Sequence, residues 1–159
     1  VGSEMCIRDR ARGFTAEDFA LSHPGGSLGR RLLLHVSDIM HKGDDIPRVH
    51  ETATVSEALL EMSEKGLGMT AITDTENRLL GIYTDGDLRR SLDRNIDVRN
   101  TPISDVMIRD CLTTTADELA ATIVKQMDQR SINGLLVIDK DNKLIGAFNM
   151  HDLLRAGIM

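Results

Sequence analysis

The 159 residues predict an α+β fold: two copies of a β-α-β-β-α unit packed together through their apolar faces. Three observations carry this. First, Leu79-Leu80-Gly81-Ile82-Tyr83-Thr84-Asp85-Gly86-Asp87-Leu88-Arg89-Arg90 returns as Leu144-Ile145-Gly146-Ala147-Phe148-Asn149-Met150-His151-Asp152-Leu153-Leu154-Arg155. Gly81 and Gly146 stand 65 positions apart, and so do Asp87 and Asp152. Second, the spacing persists upstream, pairing Asp74 with Asp139, Asn77 with Asn142 and Met62 with Met127. Ser37-Asp38-Ile39-Met40 also answers Ser104-Asp105-Val106-Met107. Third, aromatics make up only 3% of a chain that is 41% hydrophobic, so the core is aliphatic, with eight Met as gap-fillers.

Residues 1–10 show neither periodicity and relate to nothing downstream, so they are set aside as a leader or foreign segment. Residues 11–34 belong to neither copy. Thr15 with Asp18 marks a helix start there, Phe14 and Phe19 flank it, and Ser22-His23-Pro24-Gly25-Gly26 breaks it.

The first repeat is expected over residues 35–94. A helical turn covers 36–40, and an edge strand follows at 46–49, where Pro47 denies a ladder bond. Thr54 caps a helix carrying Ala58, Leu59 and Met62, and Gly66 ends it. Residues 69–73 and 79–83 form two strands joined by the turn Asp74-Thr75-Glu76-Asn77, and residues 85–92 form a helix. Residues 95–102 link the halves.

The second repeat, 103–159, matches in order. An edge strand covers 112–114, and a longer helix covers 115–129 with Leu119, Ile123, Val124 and Met127. Strands at 135–138 and 144–148 flank the turn 139–142, and a last helix covers 150–156.

A net charge of −6 argues against a general nucleic-acid partner. No apolar run reaches the ~20 residues of a membrane span. Cys6 and Cys111 have no framework or metal-ligand spacing, and His35, His41, His50 and His151 form no metal pattern. The expectation is a cytoplasmic protein without metal or cofactor.

With two strand–helix–strand–strand–helix units, each closing in Leu/Ile-Gly-x-x-x-x-x-Asp-Leu, the chain resembles a tandem pair of CBS domains. The segment Phe14-Thr15-Ala16-Glu17-Asp18 with Ser22-His23-Pro24-Gly25-Gly26-Ser27-Leu28-Gly29 resembles the tail of the sugar isomerase (SIS) domain of bacterial D-arabinose 5-phosphate isomerases, which carry a CBS pair at their C-terminus. The resemblance implies the C-terminal, regulatory part of such an enzyme. The parent would interconvert D-ribulose 5-phosphate and D-arabinose 5-phosphate for the octulosonate of lipopolysaccharide or capsule. It also implies His23 as an active-site residue of the parent, where an imidazole suits proton transfer near neutrality. The fragment itself is expected to be inactive.

The resemblance places ligand binding at Thr84 and Asp87, and in the second copy at Asp152. A carboxylate can accept from two vicinal sugar hydroxyls, and a threonine at a helix start can help meet a phosphate. Thr-x-x-Asp is equally a capping box that satisfies only its own helix. The second copy has Asn149 in place of Thr, so the first is the preferred site, with Arg89 and Arg90 nearby. The expected partners are a regulatory nucleotide or nucleotide-sugar, a sugar phosphate in the parent, and further copies of the chain in a homo-oligomer. A free-standing sensor of adenine nucleotides and a ligand-free oligomerisation module stay open as alternatives.

Overall fold

The computed structural model describes residues 33–158. The expectations for the leader, for the helix start at Thr15 and for His23 lie outside those residues.

A single-turn helix α1 (Val36–Ile39) opens the described chain, and a 3-10 turn (Gly43–Asp45) leads into β1 (Arg48–His50). Then come α2 (Val55–Lys65), β2 (Met69–Thr73), β3 (Leu79–Thr84) and α3 (Asp85–Asp93). A second 3-10 turn (Ile103–Asp105) precedes β4 (Thr113–Thr114), α4 (Ala120–Gln129), β5 (Gly134–Ile138), β6 (Leu144–Asn149) and α5 (Met150–Arg155). Each repeat forms a three-stranded sheet, β1-β2-β3 or β4-β5-β6, with its first pair parallel and its second antiparallel.

Local chemistry explains the elements. Thr54 accepts from the Glu57 N–H at 3.3 Å while Glu57 accepts from the Thr54 N–H at 2.9 Å, which closes a capping box on α2. Gly66, at φ 71°, ends that helix in the left-handed region. Each hairpin turn is tied by one aspartate. Asp74 Oδ1 accepts from the N–H groups of Glu76 and Arg78, and Asp139 Oδ1 from those of Asp141 and Lys143, all at 2.9 Å. The Arg78 N–H bond, more than any other contact, holds the Asp74 carboxyl below its ordinary value.

The core has three parts. Met69, Ala71 and Ile82 of the first repeat meet Leu136, Leu144 and Ala147 of the second, so the sheets bury apolar faces against each other as expected. On the far side of the first sheet, Ile72 and Tyr83 pack with Val55, Ala58 and Met62 of α2. On the far side of the second, Leu135, Val137 and Phe148 pack with Ile123, Met127 and Leu153. β2 is buried at every position because both of its faces are covered.

One expectation is corrected. The helix expected from residue 115 begins at Ala120. Residues before it pair instead with the chain near α1: Val36 N–H donates to Glu118 O at 2.8 Å, and Ala120 N–H to Leu34 O at 2.8 Å. Leu119 is thereby held extended, at φ −72° and ψ 132°. The turn at 36–40 does not pack on the repeat that follows it. Val36 is fully buried in the core of the second repeat, while Ile103 and Met107 are buried in that of the first.

The exchange continues past those turns. His41 forms an antiparallel bridge to Ala147 of β6, and Ile108 one to Ile82 of β3. Each repeat therefore receives one edge of its sheet from the segment that leads into the first strand of the other repeat. Gly81 and Gly146 recur in sequence because this crossing needs them. A Cβ on Gly81 would lie 2.8 Å from Ile108 O and 2.9 Å from Met107 Sδ, and one on Gly146 would collide with Met40 Sδ.

Candidate ligand-binding cleft

Thr84 ends β3 in extended backbone and caps α3. Its Oγ1 accepts from Asp87 N–H at 3.3 Å, and Asp87 Oδ2 accepts from Thr84 N–H at 2.9 Å and from the Thr84 hydroxyl at 3.0 Å. Asp87 Oδ1 pairs with the guanidinium of Arg90. The Asp87 carboxylate is buried and the Arg90 side chain exposed, so one side of the acid is fixed by backbone and the other is held by a mobile cation. The capping box is therefore formed, and it leaves Oδ1 facing a partner that a ligand can displace.

Thr84 and Asp87 line a cleft of about 520 Å³. Its apolar wall combines Ile82 of β3 with Ile108, Cys111 and Leu112 of the crossing segment and Ile132 of the second repeat. Asp110 and Arg130 complete it. Burial pushes the Cys111 thiol up, so it stays protonated and serves as apolar lining. An apolar wall beside a buried carboxylate suits a heteroaromatic ring joined to a sugar.

The pseudo-equivalent position in the second repeat is built differently. Asn149 accepts from Asp152 N–H at 3.0 Å, and Asp152 Oδ2 accepts from Asn149 N–H at 2.9 Å, so the cap is reproduced. Asp152 Oδ1, however, carries both Arg155 and His41, whose Nε2 lies 3.0 Å away. His41 stands where the first repeat has the apolar Ile108, each bridged to the corresponding strand. The structure thus brings Thr84 and Asp87 together at a cleft, while Asp152 Oδ1 carries His41 in addition to its arginine.

Sequence reasoning missed the cleft walls at residues 108–112 and 130–132, and missed His41. The repeat of Ser-Asp-Val-Met before Ile108 marked the segment, but no residue spacing says that it crosses to the other sheet. Among the described residues, no group of three or more His, Cys, Asp or Glu is placed to hold a metal ion, and no helix is long and apolar enough to cross a membrane.

Comparison with known proteins fits this geometry. The CBS domain family matches residues 36–94 and 103–158. The chain is 56% identical over 149 residues to arabinose 5-phosphate isomerase KdsD of Pseudomonas aeruginosa, covering 94% of this chain and 46% of that protein. It is 53% identical over 150 residues to the protein of the same name from Escherichia coli K12, covering 94% and 45%. The chain thus spans about half the length of these curated relatives. Among solved structures, the CBS domain pair of protein MJ0100, in complex with 5′-methylthioadenosine and S-adenosyl-L-methionine, superposes with a TM-score of 0.68 at 24% identity. That match covers 77% of this chain and 98% of the other. Two matched segments, two sheets of one topology and one shared apolar interface make this chain a member of the CBS domain family, with both domains of a tandem pair present.

Proposed function

We propose that this CBS pair is the regulatory part of a D-arabinose 5-phosphate isomerase and that it binds a nucleotide or nucleotide-sugar at Thr84 and Asp87. The carrying observation is the buried Asp87 carboxylate at the edge of a cleft of about 520 Å³ walled by apolar side chains from both repeats. The identity to two KdsD isomerases supports the parent activity, and the adenosine compounds in the MJ0100 complex support the ligand class. A ligand spanning both repeats responds to how they sit against each other, which is what a regulatory module requires. Asp152 would take the same role in the second repeat only after His41 withdraws. In the parent, His23 moves the proton between neighbouring carbons of the sugar phosphate, several copies assemble, and the pathway's sugar phosphates place it in the cytoplasm.

The ligand reading and the pure-cap reading separate in Asp87→Asn. Asn keeps an oxygen for the cap, so stability falls by no more than about 1 kcal/mol. The charge-assisted bond to sugar hydroxyls is lost, so calorimetry with AMP and with a cytidine nucleotide should show binding weakened at least about tenfold. Unchanged affinity returns Asp87 to its cap alone, and no binding by either nucleotide favours a purely structural module.

The isomerase reading makes a second claim on this chain. The 159-residue polypeptide alone should leave ribulose 5-phosphate unchanged, because most of an aldose–ketose isomerase's rate rests on positioning by groups outside the CBS pair. Turnover above a heat-inactivated control, abolished by His23→Ala, would contradict it.

A further inference from the structure

The Thr84–Asp87 cleft does not end at Thr84. A second cleft of about 360 Å³ shares Thr84, Ile132 and Gly134 with it, and is otherwise lined by residues 67–69, Asp85 and Gly86 from the first repeat and Ser131 and Asn133 from the second. The two clefts adjoin at these shared residues, which come from both repeats.

The chemistry of the two compartments differs. The first has the apolar wall and the buried acid. The second has apolar lining too, from Leu67, Met69 and Ile132, but adds the carboxylate of Asp85, the hydroxyl of Ser131 and the amide of Asn133 at its mouth, and no Lys or Arg lines it. Among the described residues, the side chains of Ser131, Asn133 and Asp85 make no hydrogen bond within the chain, although all three are exposed. Ser131 is held in the left-handed region at φ 54°, a conformation that a free serine seldom adopts. An uncompensated carboxylate at Asp85 repels a second anion, while unengaged hydroxyl, amide and carboxylate groups suit the hydroxyls of a sugar.

We infer that the adjoining clefts take a nucleotide-sugar whose sugar is neutral, with the nucleoside against Asp87 and the sugar hydroxyls against Asp85, Ser131 and Asn133. This rests on the nucleotide reading of the Thr84–Asp87 cleft and extends it by one subsite. Thr84, common to both compartments, marks the position of the linking phosphate, beside Gly86 and the Arg90 guanidinium. An anionic sugar is disfavoured by the same Asp85.

The test compares UDP with UDP-glucose and ADP with ADP-glucose by calorimetry on the full chain and on Ser131→Gly/Asn133→Ala. Glycine keeps the positive φ at 131, so the double variant removes side-chain groups without straining the turn. For at least one base, the glucose conjugate should bind five- to tenfold more tightly than its diphosphate. In the variant that advantage should vanish while affinity for the diphosphate stays within twofold. Equal affinities in the full chain, or an advantage that survives the variant, overturn the sugar subsite and leave the nucleotide reading standing. Absence of binding by all four compounds overturns the sugar subsite, and silence of AMP and the cytidine nucleotide as well overturns the nucleotide reading with it.

Discussion

Gly81→Val should destabilise the protein by about 3 kcal/mol, at the upper end of the range for overpacking, because the atom it would strike belongs to the backbone. Ile108 O lies 2.8 Å from where the new Cβ would stand, and it cannot move without breaking its bond to Ile82 N–H at 2.9 Å. Gly146 is crowded instead by the Met40 side chain, an unbranched group that can swing away. The pair therefore separates in double-mutant cycles read by urea unfolding. Met40→Ala should couple favourably to Gly146→Ala by about 1 kcal/mol or more, whereas Met107→Ala should barely relieve Gly81→Val. The same displacement of Ile108 pulls away one wall of the cleft, so Gly81→Val should also weaken nucleotide binding. Full rescue by Met107→Ala, or a variant as stable as the parent chain, would show that the crossing is not tight.

Asn142→Ala is expected to cost about 2–3 kcal/mol, as the sum of a lost half-buried hydrogen bond and a strained backbone. Asn77 and Asn142 both stand at φ 64°, where asparagine is tolerated better than alanine. Their side chains reach across the repeats: Asn142 Nδ2 donates to Leu79 O at 3.0 Å, and Asn77 Nδ2 to Leu144 O at 2.9 Å. Backbone bonds run beside them, Leu79 N–H to Asn142 O at 2.9 Å and Leu144 N–H to Asn77 O at 3.0 Å. Asn142→Gly keeps the dihedral freedom and loses only the side-chain bond, so it should cost about 1–2 kcal/mol. Chemical denaturation of the two variants isolates each contribution. If alanine and glycine cost the same, the left-handed backbone carries no strain worth counting. If neither moves the midpoint, the reciprocal bonds do not hold the repeats together.

Which features were legible before the structure follows from the range of the forces involved. Local rules are written in neighbouring residues, so Thr54, Thr84 with Asp87, and Asn149 announced their caps, and all three helices are capped there. Periodicity showed which faces of the helices and strands are apolar, and the 65-residue repeat showed that two equal units exist to cover each other. The start of α4 was misplaced because Leu119 has a helical spacing to Ile123 but is held extended by pairing with the chain at His35, more than 80 positions away. No local pattern records a partner at that distance.

The candidate site divides along the same line. The chain itself marked Thr84 and Asp87, since an acid three positions after a threonine at a helix start is a local signal. Only the tertiary structure decided that Ile108 walls the cleft beside Asp87 while His41 closes on Asp152. In sequence both follow a repeated Ser-Asp-x-Met with nothing to say where they go. The crossing of those two segments, each completing the other repeat's sheet, turns a symmetric repeat into one acid beside an apolar cleft wall and one acid that also carries a histidine. It is settled by backbone pairing across the molecule, which depends on how the two sheets meet rather than on any residue's neighbours.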